Sequence, residues 1–181
     1  MDAVDANGAT VLHSAASAST CSVPVIQLLL SRGADIQAQD KEGGSVLHWA
    51  AGFCSCVDVI ELLLDHGAEL NAVDNYGTTV LHYAAVDSST VEVVELLLKK
   101  GADLHAIDQE GKNVLHYARE NTSPDVVQFL RAMYHKSNAI ASKDFWNRTL
   151  DHSDFRSSLG FIQLSLDWIL LFFEIRLRQN G

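Results

Sequence analysis

Three segments of the chain have the apolar pattern of an amphipathic helix. VPVIQLLL, VDVIELLL and VEVVELLL carry apolar residues at i, i+1, i+4 and i+5, which predicts a helix with one buried face. A glycine follows each segment, at Gly33, Gly67 and Gly101. Because glycine readily takes a positive φ, these residues are expected to end the three helices.

A second apolar block precedes each of these segments and occurs a fourth time after the last of them. TVLHSAA, SVLHWAA, TVLHYAA and NVLHYAR recur in the chain, each just after an Asp-x-x-Gly tetrapeptide that is typical of a tight turn. The first residue of each block can accept a hydrogen bond from a free backbone N–H at a helix start. These predicted N-caps are Thr10, Ser45, Thr79 and Asn113.

The two blocks repeat together along the chain. The histidines of the first block, His13, His48, His82 and His116, are 34 or 35 residues apart, a period that indicates a stacked repeat. A single helix pair leaves much of its apolar face exposed, so its stability depends on neighbouring pairs packing about 8–10 Å away. The predicted fold class is therefore an all-α repeat solenoid.

These motifs resemble the ankyrin repeat, in which a turn, a T-P-L-H-x-A helix and an LL-x-x-GA segment follow one another. The resemblance covers residues 5 to about 135 and implies helix–turn–helix pairs joined by β-hairpin-like loops. The copies are about 5–39, 40–73, 74–107 and 108–143. Two features depart from the family: valine replaces the usual proline, and the Gly-His between the helices is missing. The turn between helices is expected to be rebuilt around Cys54-Ser-Cys56 and Ser88-Ser-Thr90.

The last part of the chain, 144–181, is predicted to be a degraded fifth repeat. Asp144-Phe-Trp-Asn147-Arg-Thr149 repeats the opening turn with Asn in the glycine position, and Asn tolerates a positive φ. His152 falls in register, but Asp151 occupies the leucine position and no Ala pair follows. Residues 1–143 are thus the repeat domain.

The apolar segment 159–177 is interpreted as a helix that closes the array. Its apolar run is interrupted by charged residues and is too short to cross a bilayer, which takes about 20 largely apolar residues. Because the segment is apolar nearly all round, something is expected to cover it, such as further chain, a partner or a membrane surface. At the other end, residues 2–5 resemble half of an inter-repeat hairpin, as if the array were cut from a longer one.

The charge of the chain is acidic and unevenly distributed. The formal net charge is −10; residues 1–135 carry 18 acidic and 7 basic residues, whereas 136–181 carry 5 and 6. An acidic field repels phosphate backbones and favours a partner with a basic surface, so direct nucleic-acid binding is disfavoured. The N-terminus has no secretory signal and the three cysteines lack disulfide spacing, so we expect an intracellular protein, cytoplasmic or nuclear, with reduced thiols.

Candidate chemistry is sparse in this sequence. One histidine per repeat places the rings about 10 Å apart, whereas zinc ligands each lie about 2.0–2.1 Å from the metal. Each histidine is instead interpreted as bonding the backbone of its own or a neighbouring turn. Cys54-Ser-Cys56 with Cys21 lacks the C-x-x-C spacing, and nucleotide-binding and hydrolase motifs are absent. We predict no enzyme activity, no cofactor and no metal.

Two further sets of residues have alternative interpretations. Trp49, Tyr83 and Tyr117 share one register position and could form an aromatic recognition strip. Packing between repeats is favoured, because the position follows a buried Leu-His pair. Asn71 resembles the asparagine that protein hydroxylases modify in ankyrin domains, but an ordinary role as a polar loop residue is favoured.

The sequence therefore predicts a non-catalytic scaffold that binds a protein partner. The resemblance implies contacts at the hairpin tips and the exposed side of the first helices, and Phe53, Tyr76 and Val86 are expected to form one patch there. The predicted contact residues are those that vary while the frame repeats: Lys41, Glu42, Phe53, Asn75, Tyr76, Thr78, Val86, Asp87, Gln109, Glu110 and Lys112. The alternative is a regulatory fragment of a larger enzyme or membrane protein.

Overall fold

The computed structural model describes residues 3–18, 22–54, 56–87, 90–119 and 123–150, with side chains left undescribed at 87 and 139–150. Within these ranges the chain forms four helix pairs. The first helices of the pairs are α1 (Val11–Ser17), α3 (Val46–Phe53), α5 (Val80–Asp87) and α7 (Val114–Ala118). The second helices are α2 (Val23–Ser31), α4 (Val57–Asp65), α6 (Val91–Lys100) and α8 (Pro124–Leu150).

The first helices begin at the predicted N-caps. The side chains of Thr10, Ser45 and Asn113 each accept the N–H of the histidine three residues later, and that histidine accepts the N-cap's own N–H. The Thr79 hydroxyl oxygen lies 2.8 Å from Nδ1 of His82 in the same arrangement. These reciprocal bonds satisfy N–H groups that no helical carbonyl reaches.

The second helices end at the predicted glycines. Gly33, Gly67 and Gly101 have φ of +83°, +92° and +102°, a left-handed conformation that costs little only for glycine. The chain leaves each helix at this point and turns towards the next hairpin-like loop. In those loops the residue before each turn aspartate forms an antiparallel bridge with the N-cap, as Val73 does with Thr79.

The helix pairs stack in two layers. The first helices α1, α3, α5 and α7 pack side by side, and α2, α4 and α6 do the same. The core between the layers contains Leu47 and Leu81 from the first helices, with Ile60, Leu63 and Leu97 from the second. Burial of these side chains at every level confirms the all-α repeat solenoid.

The predicted turn at Asp144–Asn147 is not formed, since α8 continues through Leu150. The earlier second helices end at Gly33, Gly67 and Gly101, whereas the equivalent position in α8 is His135, so this helix lacks the glycine stop. The chain divides into two compact units, Met1–Ser137 and Asn138–Gly181. The boundary between them lies six residues before the expected domain boundary at 143. His152 and the apolar segment 159–177 lie outside the described residues, so the degraded fifth repeat and its closing helix stay predictions.

The expectation that all cysteines are reduced is wrong for Cys54. This residue is buried and disulfide-bonded, while Cys56 is a free thiol. No helix in the described part of the chain is long and apolar enough to cross a membrane.

Candidate partner-binding site

In the second, third and fourth hairpin tips an aspartate organises the turn and ties it to the first helix that follows. Oδ1 of Asp74 accepts the N–H groups of Tyr76 and Thr78 at 2.9 and 2.8 Å, and Asp40 and Asp108 do the same in their tips. Oδ2 of each aspartate accepts an aromatic donor nine residues later. These donors are Trp49 Nε1 at 2.7 Å, Tyr83 OH at 3.1 Å and Tyr117 OH at 2.6 Å.

The same three aromatic rings pack against the preceding repeat. Each lies edge-on to the histidine of that repeat, and the ring centroids are 4.9–5.5 Å apart. This confirms the favoured interpretation of packing between repeats. The partners are His13 with Trp49, His48 with Tyr83, and His82 with Tyr117.

The histidines bond to backbone, as predicted. Nδ1 of each accepts the N–H of its own N-cap residue, so in the neutral ring Nε2 carries the proton and donates. His13 Nε2 donates to the Gly44 carbonyl at 3.2 Å, and His48 Nε2 to the Thr78 carbonyl at 3.1 Å. These two bonds join consecutive repeats.

His82 differs from the earlier copies. Its Nε2 is buried and has no hydrogen-bond partner among the described residues, although the Lys112 backbone lies near enough to raise its pKa. Burial outweighs that effect and lowers the pKa of His82, as it does those of His13 and His48. All three rings are therefore neutral at pH 7. In the described part of the chain, no three His, Cys, Asp or Glu side chains are grouped to hold a metal ion.

A ladder of backbone hydrogen bonds links the hairpin tips, and the side chains at the donor positions reinforce it. The N–H of Lys41 donates to Asn7, that of Asn75 to Glu42, and that of Gln109 to Tyr76, at 2.8–3.0 Å. Each donor residue's side chain also donates to a carbonyl of the preceding tip, at 2.8–3.2 Å. The hydrogen bonds between consecutive tips thus involve three of the predicted contact residues, Lys41, Asn75 and Gln109.

The remaining predicted contact residues differ in exposure. The positions after the ladder donors, Glu42, Tyr76 and Glu110, are exposed, as is Phe53 at the end of α3. Thr78 is only 6% exposed, because its N–H and carbonyl are both held by the turn. The side chain of Asp87 is not described.

A groove lies between the third and fourth hairpin tips and brings several predicted contacts together. Its volume is about 470 Å³. Tyr76 and Val86 both line it, as the expected patch requires, whereas Phe53 is not among the lining residues and packs instead against Trp49, with centroids 6.2 Å apart. The lining residues are Asp74, Tyr76, Thr78, Tyr83, Val86, Asp108, Gln109, Glu110, Lys112 and Tyr117.

The groove carries excess negative charge. Burial alone would raise the pKa of Asp108, but hydrogen bonds from Tyr117 and from the Lys112 and Glu110 N–H groups hold it below the usual value. Burial and the adjacent Asp74 raise the pKa of Tyr83 far above its usual value, so the phenol stays protonated. The sequence favoured packing between repeats over a recognition strip for Tyr83 and Tyr117. In the structure the two rings pack between repeats and also border the groove.

Asn71 occupies an ordinary loop role in this structure. Its Oδ1 accepts the N–H of Asp103 at 3.2 Å, which links its loop to the loop of the next repeat. Gln37, in the equivalent place one repeat earlier, donates to the Gly67 carbonyl at 2.7 Å. Modification of Asn71 stays the disfavoured alternative.

Comparison with known proteins agrees with this architecture. A family model described as ankyrin repeats (3 copies) matches residues 1–74 and again residues 47–141. The comparison with curated proteins gave no match. Ankyrin repeats are generally protein–protein interaction modules, and the family is typically non-enzymatic. With matches over most of its length and four stacked helix pairs, the chain belongs to the ankyrin-repeat family.

Proposed function

We propose that this chain is a non-catalytic scaffold that binds a protein partner with a basic surface through its hairpin tips and first-helix face. The observation that carries the proposal is the exposure of two aromatic side chains on that face. Tyr76 is 57% exposed, and Phe53 is 53% exposed although its ring also contacts Trp49.

The hydrogen bonds that hold the third tip use the backbone of Tyr76, so its ring is left for other contacts. The N–H of Tyr76 donates to Asp74 and its carbonyl accepts from Gln109, so the tip is held whatever the side chain. Aromatic residues are enriched among the few residues that dominate the free energy of binding at protein interfaces. An exposed tyrosine on a rigid tip is therefore well suited to anchor a partner.

The charge of the chain favours a basic partner. The formal net charge is −10, and the groove beside Tyr76 is lined by three carboxylates and one lysine. Opposite charges on the two surfaces speed encounter and select against acidic competitors.

The experiment first identifies partners by affinity capture and mass spectrometry, and then measures the dissociation constant of a purified partner by calorimetry. Tyr76→Ala and Phe53→Ala are each expected to weaken binding by on the order of 1–2 kcal/mol or more, with an unchanged melting temperature. Val25→Ala, which truncates an exposed apolar side chain on α2, is the control. Binding that is indifferent to both aromatic variants, or equally sensitive to Val25→Ala, would contradict the proposed face.

A further inference from the structure

We propose that the groove between the third and fourth hairpin tips is a subsite for an arginine side chain of the protein partner. The inference deepens the proposed function and rests on it. Three tyrosines and three carboxylates surround one space of about 470 Å³, within the range of about 300–1,000 Å³ that small-ligand pockets occupy.

The tyrosine rings bordering the groove are held in place before any ligand arrives. Tyr83 and Tyr117 donate their hydroxyl protons to Asp74 and Asp108, and each ring packs edge-on against a buried histidine. Side chains fixed in this way lose little conformational entropy on binding. Tyr76 adds an exposed ring from the tip above them.

Two carboxylates of the groove are buried and held by hydrogen bonds. Asp74 and Asp108 are 6% and 7% exposed, and each accepts two backbone N–H groups and one tyrosine hydroxyl. At Asp108 these hydrogen bonds hold the pKa below its usual value. With Glu110 and one compensating cation, Lys112, the lining carries a formal excess of two negative charges.

A guanidinium group matches both features of this lining. It is planar and weakly hydrated, so it stacks on aromatic rings while its N–H groups face carboxylates. A lysine ammonium is a compact and strongly hydrated charge that gains less from the ring surfaces. Phosphorylated or acidic segments would be repelled by the carboxylates.

The groove lining already includes one cation, the side chain of Lys112. Lys112 Nζ lies 2.6 Å from a carboxylate oxygen of Glu110, and both side chains are largely exposed, at 52% and 71%. An incoming arginine competes with Lys112 for Glu110. Removing Lys112 is therefore expected to strengthen arginine binding, while removing the charge of Glu110 is expected to weaken it.

The test titrates the full chain, labelled with ¹⁵N, with the capped tripeptide acetyl-Gly-Arg-Gly-amide and follows backbone amide shifts by NMR. Saturable shifts are expected at the third and fourth hairpin tips. The citrulline tripeptide has the same shape without the charge and is expected to cause no saturable shift. Shifts confined to other parts of the chain, or equal binding of the citrulline or lysine tripeptide, would overturn the assignment of an arginine subsite.

Three charge variants make the assignment specific. Glu110→Gln is expected to lower the affinity for the arginine tripeptide about two- to fivefold, and Lys112→Gln is expected to raise that affinity by a similar factor. Glu42→Gln, the same tip position as Tyr76 one repeat earlier and outside the groove lining, is expected to leave it unchanged. Equal affinity of all three variants would refute the proposal.

Failure of the subsite and failure of the proposed function give different results. The tripeptide reports on the groove alone, whereas calorimetry with the purified partner reports on the whole face. If the tripeptide binds as expected but the partner is indifferent to Tyr76→Ala and Phe53→Ala, the subsite stands and the proposed face fails. If the partner needs those residues but the tripeptide does not bind, only the subsite fails.

Discussion

Replacing His48 by alanine tests whether the histidine ladder joins the repeats. The ring is fully buried, accepts the Ser45 N–H at Nδ1 and donates from Nε2 to the Thr78 carbonyl. The variant loses the bond to Thr78, and that carbonyl keeps the N–H of Asp74 as a donor. It also leaves the buried Ser45 N–H without an acceptor and opens a cavity beside Tyr83.

The expected loss of unfolding free energy follows from these contacts. A lost hydrogen bond costs about 1 kcal/mol, and an orphaned buried N–H costs about 1–3 kcal/mol. With the cavity included, we expect His48→Ala to lower the unfolding free energy by about 3–5 kcal/mol at pH 7.5. The matched control is His116→Ala, because His116 makes the same bond to its N-cap but is exposed. Its expected cost is about 0.5–1 kcal/mol, since water replaces the ring.

The cost of the substitution is also expected to depend on pH. Burial lowers the pKa of His48 in the folded chain below 6.5, so the folded state resists protonation. The stability that the neutral ring contributes is complete above pH 6.5 and is lost as the pH falls from 6.5 through the folded pKa. The difference between wild type and His48→Ala is therefore smaller at pH 5 than at pH 7.5.

Chemical denaturation followed by circular dichroism at both pH values measures these differences. Equal costs for His48→Ala and His116→Ala at pH 7.5 would show that the bond between repeats contributes nothing. A pH-independent cost for His48→Ala would refute the argument from burial.

Other predictions follow from the core, the turns and the absence of metal-binding motifs. Leu63→Ala, at a fully buried core position, is expected to cost about 2–5 kcal/mol in chemical denaturation, whereas Leu28→Ala, at an exposed position of α2, is expected to cost under about 1 kcal/mol. Gly43→Ala is expected to lower the melting temperature more than Gly67→Ala: both residues have positive φ, but only a Cβ at Gly43 would lie 2.9 Å from a backbone atom of Asn75. Elemental analysis of the purified chain is expected to find no stoichiometric zinc, and a stoichiometric amount would contradict the structural role of the histidines.

Local patterns predicted the helices of this chain and much of their packing. Helix period, the N-caps such as Ser45 and the stop glycines act over a few residues, so their effect is readable from the sequence. The role of His48 was also predictable, because one histidine per repeat excludes a shared metal and leaves the backbone as its partner. These features recur in successive repeats, so a comparison of the copies within the sequence identifies them.

The features that sequence reasoning missed depend on contacts between positions far apart in the chain. Lys41, Asn75 and Gln109 differ in chemistry, so they looked like surface variation, yet each side chain donates to the preceding tip. These three residues help to hold the repeats together, and their role in partner binding stays a prediction. The packing of Phe53 on Trp49 is local by contrast, since the two residues are four apart on α3, and helical spacing could have predicted it.

The backbone ladder between hairpin tips allows surface side chains to change while the fold is kept. Since the links run from main-chain N–H to main-chain carbonyl, a duplicated repeat can dock onto its neighbour without first acquiring compatible side chains at the next tip position. That position, held by Glu42, Tyr76 and Glu110 in successive copies, is free to mutate at little cost to folding. A combinatorial library randomised at these three sites would therefore sample new specificities while most of its members still fold.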